Sequence, residues 1–450
     1  MHAWGLAVLV ALCASCYHGT ESLSCKIRCD DGSCPDGMTC VGGLCTTGAT
    51  CTAATPTCGA IGQPCCETGA ACTGNGVCTN GTCTECVVEV APGRRHACVR
   101  EHDGTVWCSG NDQSGQLGDS TTSSPRASFV QASDASGPIS DAIAIAAGHD
   151  HSCAVRSGGS VWCWGSNGSG ELGDNSSNAS SVAVQVQTQA GTPLTDVVEI
   201  AAGAAYTCAR QSGGNVWCWG ANNHGQLGDA TFINHPQAVE VTGITAATAI
   251  SAGHDQACAL DGGEARCWGR NDYGQLGDGT NNVTGQPSSA GSAAAIATGG
   301  YGSCLVRPDS TVACMGAAWL ERIGNGATAS VSTPTQALVG AGGAPLTGVT
   351  AIAVGGVACA LAADHRVLCW GINPHGQIGN GAGGYYPAAV LDGGGELGDI
   401  DRIVAHYAHT CAHRTGDGAW LCWGRNTEGE YGDGTFTNRA MPTPIGATCN

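Results

Sequence analysis

The chain has 450 residues, of which 72 are glycine and 30 are cysteine, and only 12% are charged. Abundant glycine with few charges favours short strands joined by tight turns. The formal net charge of −19 argues against nucleic acid as a partner, since that role needs a basic face. Thirty cysteines indicate an oxidising compartment.

The N-terminus predicts export. Residues 1–15 form an apolar run that is too short to span a membrane and ends in small residues before Cys16. This stretch resembles a bacterial lipoprotein signal, which implies lipidation of Cys16 and a location at the bacterial outer membrane or cell surface. It departs from that pattern because Leu12 lies four positions before the cysteine rather than three. Removing residues 1–15 and lipidating Cys16 leaves an even 28 cysteines (30 minus Cys13 and Cys16). Simple secretion is the alternative.

A disulfide-rich region follows a tether at residues 16–24. Thirteen cysteines lie within residues 25–86, separated by few large apolar residues, so disulfides must hold this region together. The adjacent pair Cys65-Cys66 resembles small knottin-like or EGF-like modules. The odd count predicts one partner outside the region, for which Cys449 is the candidate, while the internal connectivity stays open.

One stretch recurs along the rest of the chain. Residues 148–174 read GHDHSCAVRSGGSVWCWGSNGSGELGD, and near-copies occupy residues 203–229 and 253–279. Successive copies are 55, 55, 50, 46, 55 and 52 residues apart, a period close to that of a kelch propeller blade. Seven cysteine pairs mark seven copies: Cys98/Cys108, Cys153/Cys163, Cys208/Cys218, Cys258/Cys267, Cys304/Cys314, Cys359/Cys369 and Cys411/Cys422.

Each copy contains four candidate strands. In the second copy they are a small apolar run at 141–148, one strand around each cysteine, and an alternating run at 181–187. Four strands repeated seven times predict an all-β fold, a seven-bladed β-propeller over residues 87–450, preceded by the small disulfide-rich region. Residues 87–90 and 440–449 take the first and last strand positions, and we expect these two ends to meet in one sheet.

The spacing within each pair predicts a cross-strand disulfide. When residues are paired across the hairpin from Cys258 and Cys267 towards the turn, two residues remain in the turn. The same counting leaves three residues between Cys153 and Cys163 and four between Cys411 and Cys422. The cysteines therefore stay opposite one another, where Cα atoms are about 4.5–5.5 Å apart and can be bridged. Each bridge closes a loop of about ten residues and is expected to contribute about 2–3 kcal/mol.

The other repeated residues favour structural roles. Trp162 and Trp164, like Trp217 and Trp219, are suited to packing one blade on the next. The residue two before each first cysteine varies too much for a repeated catalytic group, and we expect it to make a hydrogen bond that stabilises a turn. The aspartate in each loop could bind calcium, but one carboxylate per loop is weak evidence for a calcium site. These aspartates are Asp119, Asp174, Asp229, Asp278 and Asp433.

The motifs G-x-x-H-x-C-A-[LV] and V-x-C-W-G-x-N-x-x-G-Q-L-G-D-G resemble the repeat of the regulator-of-chromosome-condensation family, in its exported, cysteine-containing bacterial form. The resemblance covers residues 87–450 and is weakest in the fifth copy, where residues 314–326 lack W-G-x-N. It implies a seven-bladed propeller. The family's name is also attached to nucleotide exchange on a nuclear GTPase, a remote alternative for an exported acidic chain.

We predict a non-enzymatic, monomeric propeller that binds an unknown protein ligand and touches a membrane only through its lipid anchor. No catalytic, cofactor or metal residues are predicted, because the sequence contains no catalytic triad order, phosphate loop or HExxH motif. A glycan-binding or glycan-active propeller is the alternative. Loop aromatics are the candidate ligand contacts: Phe232, Trp319, Tyr385 and Tyr386.

Overall fold

The structure, a computed structural model, describes residues 82–318 and 322–446, with side chains from Glu85 onward, and short strands before them. The chain divides into two units, Met1–Thr84 and Glu85–Asn450. The strands of the N-terminal part are β1 (Ile27–Arg28), β2 (Thr39–Val41), β3 (Leu44–Thr46), β4 (Gly76–Thr79) and β5 (Thr82–Glu85). They form one three-stranded sheet in the order β1-β3-β2 and one hairpin, β4-β5. Cys16 and Cys449 lie outside the described residues.

Seven four-stranded antiparallel meanders follow, which confirms the predicted all-β, seven-bladed propeller. Blade 1 consists of β6 (Val87–Pro92), β7 (His96–Glu101), β8 (Val106–Gly110) and β9 (Arg126–Gln131). Blade 2 consists of β12 (Ala142–Ala147), β13 (His151–Arg156), β14 (Val161–Gly165) and β15 (Ser180–Gln185). Blade 3 consists of β16 (Val197–Ala202), β17 (Tyr206–Gln211), β18 (Val216–Gly220) and β19 (His235–Glu240). A short hairpin, β10 (Ser133–Asp134) and β11 (Gly137–Pro138), adds to the edge of blade 2.

The remaining blades repeat the same order of strands. Blade 4 consists of β20 (Ala247–Ala252), β21 (Gln256–Asp261), β22 (Glu264–Gly269) and β23 (Thr284–Ser292), and blade 5 of β24 (Ala295–Thr298), β25 (Gly302–Val306), β26 (Val312–Gly316) and β27 (Val331–Gln336). Blade 6 consists of β28 (Val349–Val354), β29 (Val357–Ala362), β30 (Val367–Gly371) and β31 (Gly384–Ala389). Blade 7 consists of β32 (Ile400–His406), β33 (His409–Arg414), β34 (Ala419–Gly424) and β35 (Arg439–Pro444). Within the described residues, no helix has the length and hydrophobicity needed to cross a membrane.

The cysteine hairpins have the predicted register. In blade 4, Cys258 pairs with Cys267 and the ladder ends at Asp261 and Glu264, which leaves a two-glycine turn. Both turn glycines have positive φ, as a two-residue hairpin requires.

A disulfide crosses this hairpin in every blade, between the second and third strands. The two Cα atoms of each bridge are 4.0–4.1 Å apart, slightly closer than the expected range. All seven bridges join the cysteines that the spacing paired: Cys98–Cys108, Cys153–Cys163, Cys208–Cys218, Cys258–Cys267, Cys304–Cys314, Cys359–Cys369 and Cys411–Cys422.

The disulfides also pack against the next blade. The pair in blade 1 lies in one buried cluster with Trp164 of blade 2, and the pair in blade 2 clusters with Trp219 of blade 3. The indole nitrogen of Trp219 also donates a hydrogen bond of 2.9 Å to the backbone oxygen of Glu171 in blade 2. Equivalent bonds of 2.8–3.0 Å are made by Trp164, Trp268, Trp370 and Trp423. The second tryptophan of the motif therefore joins neighbouring blades, as predicted.

The ring closes differently from our expectation that the two chain ends share a sheet, which is wrong. Strands β6 and β35 do take the first and last positions, but each stays in the sheet of its own blade. Four consecutive strands complete every blade, so no sheet needs a strand from the opposite end of the chain. Closure depends instead on packing, because Val90 and Val99 of blade 1 lie in one buried cluster with Trp420 and Tyr431 of blade 7. In place of tryptophan, Ser109 donates to the backbone oxygen of Glu430 at 3.1 Å.

Candidate functional site

The up-and-down order of the strands gives the propeller two different faces. Connections from first to second strand and from third to fourth strand lie at one end of every blade, which we call the pocket face. The other connections lie at the opposite end, the far face. The first strands of all seven blades line a central channel of about 700 Å³. Its wall is mainly alanine and isoleucine.

The predicted disulfide cysteines lie inside the blades, where no ligand reaches them. Each is at most 2% exposed, so the fourteen sulfur atoms hold the scaffold together and do not contribute to a binding surface. These residues are Cys98, Cys108, Cys153, Cys163, Cys208, Cys218, Cys258, Cys267, Cys304, Cys314, Cys359, Cys369, Cys411 and Cys422.

Of the predicted ligand contacts, those that the structure describes lie on the pocket face but are not brought together. Phe232, in the third-to-fourth loop of blade 3, is 52% exposed, and Tyr385, near the start of the last strand of blade 6, is 43% exposed. Tyr386 is half-buried, and its hydroxyl lies beside Gly326 of blade 5. Trp319 lies outside the described residues. Blades 3 and 6 are separated by two blades in a ring of seven, so these aromatics do not form one patch.

A second cavity, the axial pocket, lies on the pocket face around the propeller axis and has a volume of about 270 Å³. Most of its lining comes from the short turns that join first and second strands, while Arg322 comes from the third-to-fourth loop of blade 5, so residues distant in sequence meet there. His406 lines both this pocket and the channel. The lining consists of Arg94, His149, Gly253, His254, Gly299, Gly300, Tyr301, Arg322, Gly355, His406 and Tyr407.

Histidine and tyrosine rings fill one side of the axial pocket. The ring centroids of His149 and His254 are 4.7 Å apart, edge to face, and His254 stacks on Tyr301 at 5.6 Å. Burial, together with the neighbouring His406, His254 and Arg94, lowers the pKa of His149 to about 2. Burial lowers the pKa of His406 to about 4. Both rings are therefore neutral at physiological pH.

Two arginines supply the positive charge of the pocket. The Arg94 guanidinium lies 5.3 Å from the centroid of the Tyr407 ring. Arg322 is only 6% exposed, and burial lowers its pKa to about 10, so it stays protonated near neutral pH. Among the residues that the structure describes, no carboxylate lines the axial pocket. The pocket can therefore receive an anion. Within the described residues, no cluster of histidine, cysteine or carboxylate side chains has the geometry to hold a metal ion.

The repeated loop aspartates serve their own loops. Asp229 accepts hydrogen bonds from the backbone nitrogen and the hydroxyl of Thr231, at 2.9 and 2.8 Å. The same arrangement recurs at Asp119, Asp278 and Asp433, and at Asp174 with a serine. These contacts favour a turn-stabilising role over the calcium alternative.

In the first blades, the residue two before the first cysteine links its blade to the next. His96 and His151 hydrogen-bond to Ser152 and Thr207 of the following blades, at 2.8 and 2.9 Å. The prediction of a turn-stabilising hydrogen bond is therefore wrong for these histidines, whose bonds reach strand residues of the next blade. Their long side chains reach across the blade interface because the adjoining strands pack closely there.

Buried histidines predict acid sensitivity. Burial lowers the pKa of His96 and of His409 to about 3. The unfolded chain titrates near pH 6.5, so it binds protons that the folded chain does not, and stability falls as the pH decreases below 6.5. At pH 5 each histidine should cost about 2 kcal/mol. We expect the double variant His96→Gln/His409→Gln to lose about 4 kcal/mol less than wild type between pH 7 and 5.

Denaturant titration at the two pH values measures this difference. Glutamine suits the site because Gln256 occupies the same position in blade 4. His102→Gln, at an exposed residue, is the control and should keep the pH dependence of the wild type. Equal pH dependence in the double variant and the wild type would contradict the assignment.

Sequence reasoning missed the axial pocket. It followed the residue two before each cysteine, whereas the pocket is lined by turn residues slightly earlier, such as His149 and His254. The available signal was the fifth copy, where the repeat loses W-G-x-N and Arg322 stands in the place of a glutamine.

Seven antiparallel four-stranded blades around a channel, each with a cross-strand disulfide, define a disulfide-pinned β-propeller. Residues 56–391 match the family described as RCC1-like domain, and the chain belongs to that family. This confirms the family resemblance seen in the repeat motifs.

Relatives and solved structures agree with this assignment. The chain is 28% identical over 324 residues to the E3 ubiquitin-protein ligase HERC2 of Homo sapiens, covering 70% of this chain but 6% of that protein. It is 28% identical over 166 residues to the protein RCC2 homolog of Danio rerio, covering 36% of this chain and 32% of that protein. The fold resembles yeast RCC1 (Prp20) bound to Kap60, with a TM-score of 0.52, 17% identity and coverage of 80% of this chain and 75% of that chain.

Proposed function

We propose that this chain is a non-enzymatic propeller that binds another protein through its pocket face. The observation that carries the proposal is the position of the exposed phenylalanine and tyrosine rings, which in the described residues all lie on the pocket face, whereas exposed aliphatic side chains occur on both faces. Phe232, Ile233, Tyr385, Tyr407 and Phe436, 42–66% exposed, lie on the pocket face. Aromatic side chains are enriched at protein interfaces relative to the rest of the surface.

The rest of the molecule suits a rigid binding scaffold. Disulfides and tryptophan contacts fix the blades, so the loops of the pocket face are held in place without a ligand. The crystal structure of yeast Prp20p, which shares the fold with a TM-score of 0.51 at 18% identity, was described together with the binding of Prp20p to Gsp1p and histones. That precedent supports protein binding in general and does not name a partner.

The proposal places the protein outside the cytoplasm, anchored through Cys16 or secreted. The support is the N-terminal apolar run and the cysteine content. The mass of the mature N-terminus distinguishes the two, because lipidation adds acyl chains to Cys16.

Charge substitutions on the two faces test the binding surface. We expect the full-length variant Phe232→Asp/Ile233→Asp to lose at least tenfold affinity for a protein captured by the wild type from cell-surface extracts, since buried charges disfavour an interface. Affinity is measured by surface plasmon resonance with the purified partner. Val339→Asp, at a 54% exposed position on the far face, is the matched control and should bind as the wild type does.

The same experiment distinguishes protein binding from the alternative function, which is glycan binding. Retention of a defined glycan, with no protein retained, would contradict the proposal and favour a glycan-binding propeller. Equal loss of binding in Val339→Asp would contradict the choice of face.

A further inference from the structure

Blade 5 departs from the repeat at one loop position. The other six blades have glutamine or glutamate there: Gln116, Glu171, Gln226, Gln275, Gln377 and Glu430. Blade 5 has Arg322, whose backbone oxygen still accepts the hydrogen bond from Trp370 of the next blade. In blades 3 and 4 the glutamine side-chain oxygen accepts a bond from its own loop, at 2.8 and 2.9 Å. Arginine has no acceptor, and its side chain lines the axial pocket instead.

The Arg322 guanidinium is a buried charge without a counter-charge in the described residues. Its Nε donates to the backbone oxygen of Gly356 at 3.1 Å, but its Nη1 has no hydrogen-bond partner in the same part of the chain. By contrast, Arg126, Arg156 and Arg210 each contact a carboxylate within 3.2 Å. An unpaired buried charge is costly, so this arrangement is expected where a ligand supplies the missing anion.

Glycines make room for the guanidinium in the pocket wall. A Cβ atom at Gly300 would lie 3.2 Å from Nη1 of Arg322, closer than an ordinary contact. Gly299, Gly300 and Gly355 all line the pocket next to this arginine. A side chain at Gly300 would therefore crowd the guanidinium from the position in which it lines the pocket.

The pocket opens where a series of backbone hydrogen bonds stops. Turn residues of successive blades are joined by bonds from Arg94 to Gly148, His149 to Ala204, Ala204 to His254, and His254 to Gly299. In the described part of the chain, no equivalent bond joins blade 5 to blade 6, blade 6 to blade 7 or blade 7 to blade 1. The turns on this side of the ring, which includes Arg322, are thus less tightly joined than those of blades 1 to 5.

We propose that the axial pocket binds the carboxylate of an aspartate or glutamate side chain presented by a partner protein, with Arg322 as its counter-charge. The inference rests on the proposed protein-binding function. A volume of about 270 Å³ suits one side chain and is small for a nucleotide or cofactor. Tyr407, 42% exposed at the pocket, offers apolar contact to the rest of a peptide.

Saturation-transfer NMR titrations of the full-length chain test the proposal. The probes are capped Gly-Glu-Gly and Gly-Gln-Gly peptides, acetate and inorganic phosphate. We expect the wild type to bind the Glu peptide at least tenfold more tightly than the Gln peptide, because a guanidinium–carboxylate bond is charge-assisted. Arg322→Gln, which restores the residue of four other blades, should abolish this preference. Arg126→Gln, a partnered arginine on the same face, should keep it.

Thermal melting separates a binding role from a structural one. Arg322→Gln removes a buried charge that no carboxylate of the described residues pairs, so it should melt at the same temperature as the wild type or higher. A lower melting temperature, with no preference for the Glu peptide in the wild type, would show that the arginine serves packing and would overturn the proposal. Phosphate binding more tightly than the Glu peptide would overturn it in favour of a free-anion site.

Failure of this inference is distinguishable from failure of the proposed function. A partner protein that binds Arg322→Gln as tightly as the wild type would overturn the role of Arg322 while protein binding stands. A preference for the Glu peptide that depends on Arg322 would support the carboxylate site even if no partner is captured.

Discussion

Reduction of the seven blade disulfides is expected to unfold the propeller at temperatures where the oxidised chain remains folded. Each bridge closes a loop of 9–11 residues, worth about 2.5 kcal/mol in loop-closure entropy. Seven such bridges sum to about 17 kcal/mol, more than the typical net stability of about 5–15 kcal/mol for a folded domain. The blades therefore depend on their bridges.

A double variant isolates one bridge from the other six. Cys208→Ala/Cys218→Ala should lower the free energy of unfolding by about 3 kcal/mol, and somewhat more if the lost sulfur atoms leave a cavity. Denaturant titration measures the loss, with Cys153→Ala/Cys163→Ala as a matched variant in blade 2. A loss below about 1 kcal/mol in both variants would contradict the stabilising role.

Removing one inter-blade tryptophan is expected to be about as damaging as removing a bridge. Trp219 is fully buried between blades 2 and 3, and its indole donates to the backbone oxygen of Glu171. Trp219→Ala should cost about 3–5 kcal/mol because it leaves a cavity. Trp219→Phe keeps much of the volume but leaves the Glu171 oxygen without its donor, and should cost about 1–3 kcal/mol.

Trp217, two residues earlier and half-buried, provides the control. Its indole donates to the side chain of Gln211 within its own blade. Trp217→Phe should change the free energy of unfolding by less than about 1 kcal/mol. Similar losses at Trp217 and Trp219 in thermal or denaturant unfolding would contradict the special role of the second tryptophan.

Local rules made much of the fold predictable. The spacing from Cys258 to Cys267 allowed only one register with a two-glycine turn, and the structure has that register. Trp219 could be assigned to a blade interface because strand side chains alternate and its surface is too large to stay exposed. Each inference uses contacts within one hairpin or between adjacent copies.

Long-range geometry set the limits of that reasoning. Turns from six blades meet at the axial pocket, and a repeat pattern does not show which turn residues project there. The burial of Arg322 depends on Gly300 and Gly356, and the second of these belongs to another blade. The prediction that the two chain ends share one sheet was wrong for a similar reason. The number of strands alone does not decide whether a propeller closes by completing one blade with strands from both chain ends or by packing of complete blades.

Hydrogen–deuterium exchange of the full-length chain, free and bound to its captured protein partner, tests the central claim most directly. We predict slower exchange in the partner complex at the pocket-face turns, including residues 93–95, 148–150, 253–255 and 299–301, and unchanged exchange at the far-face turn 157–159. Protection confined to far-face turns, with none around the axial pocket, would contradict a propeller that binds its partner through the pocket face.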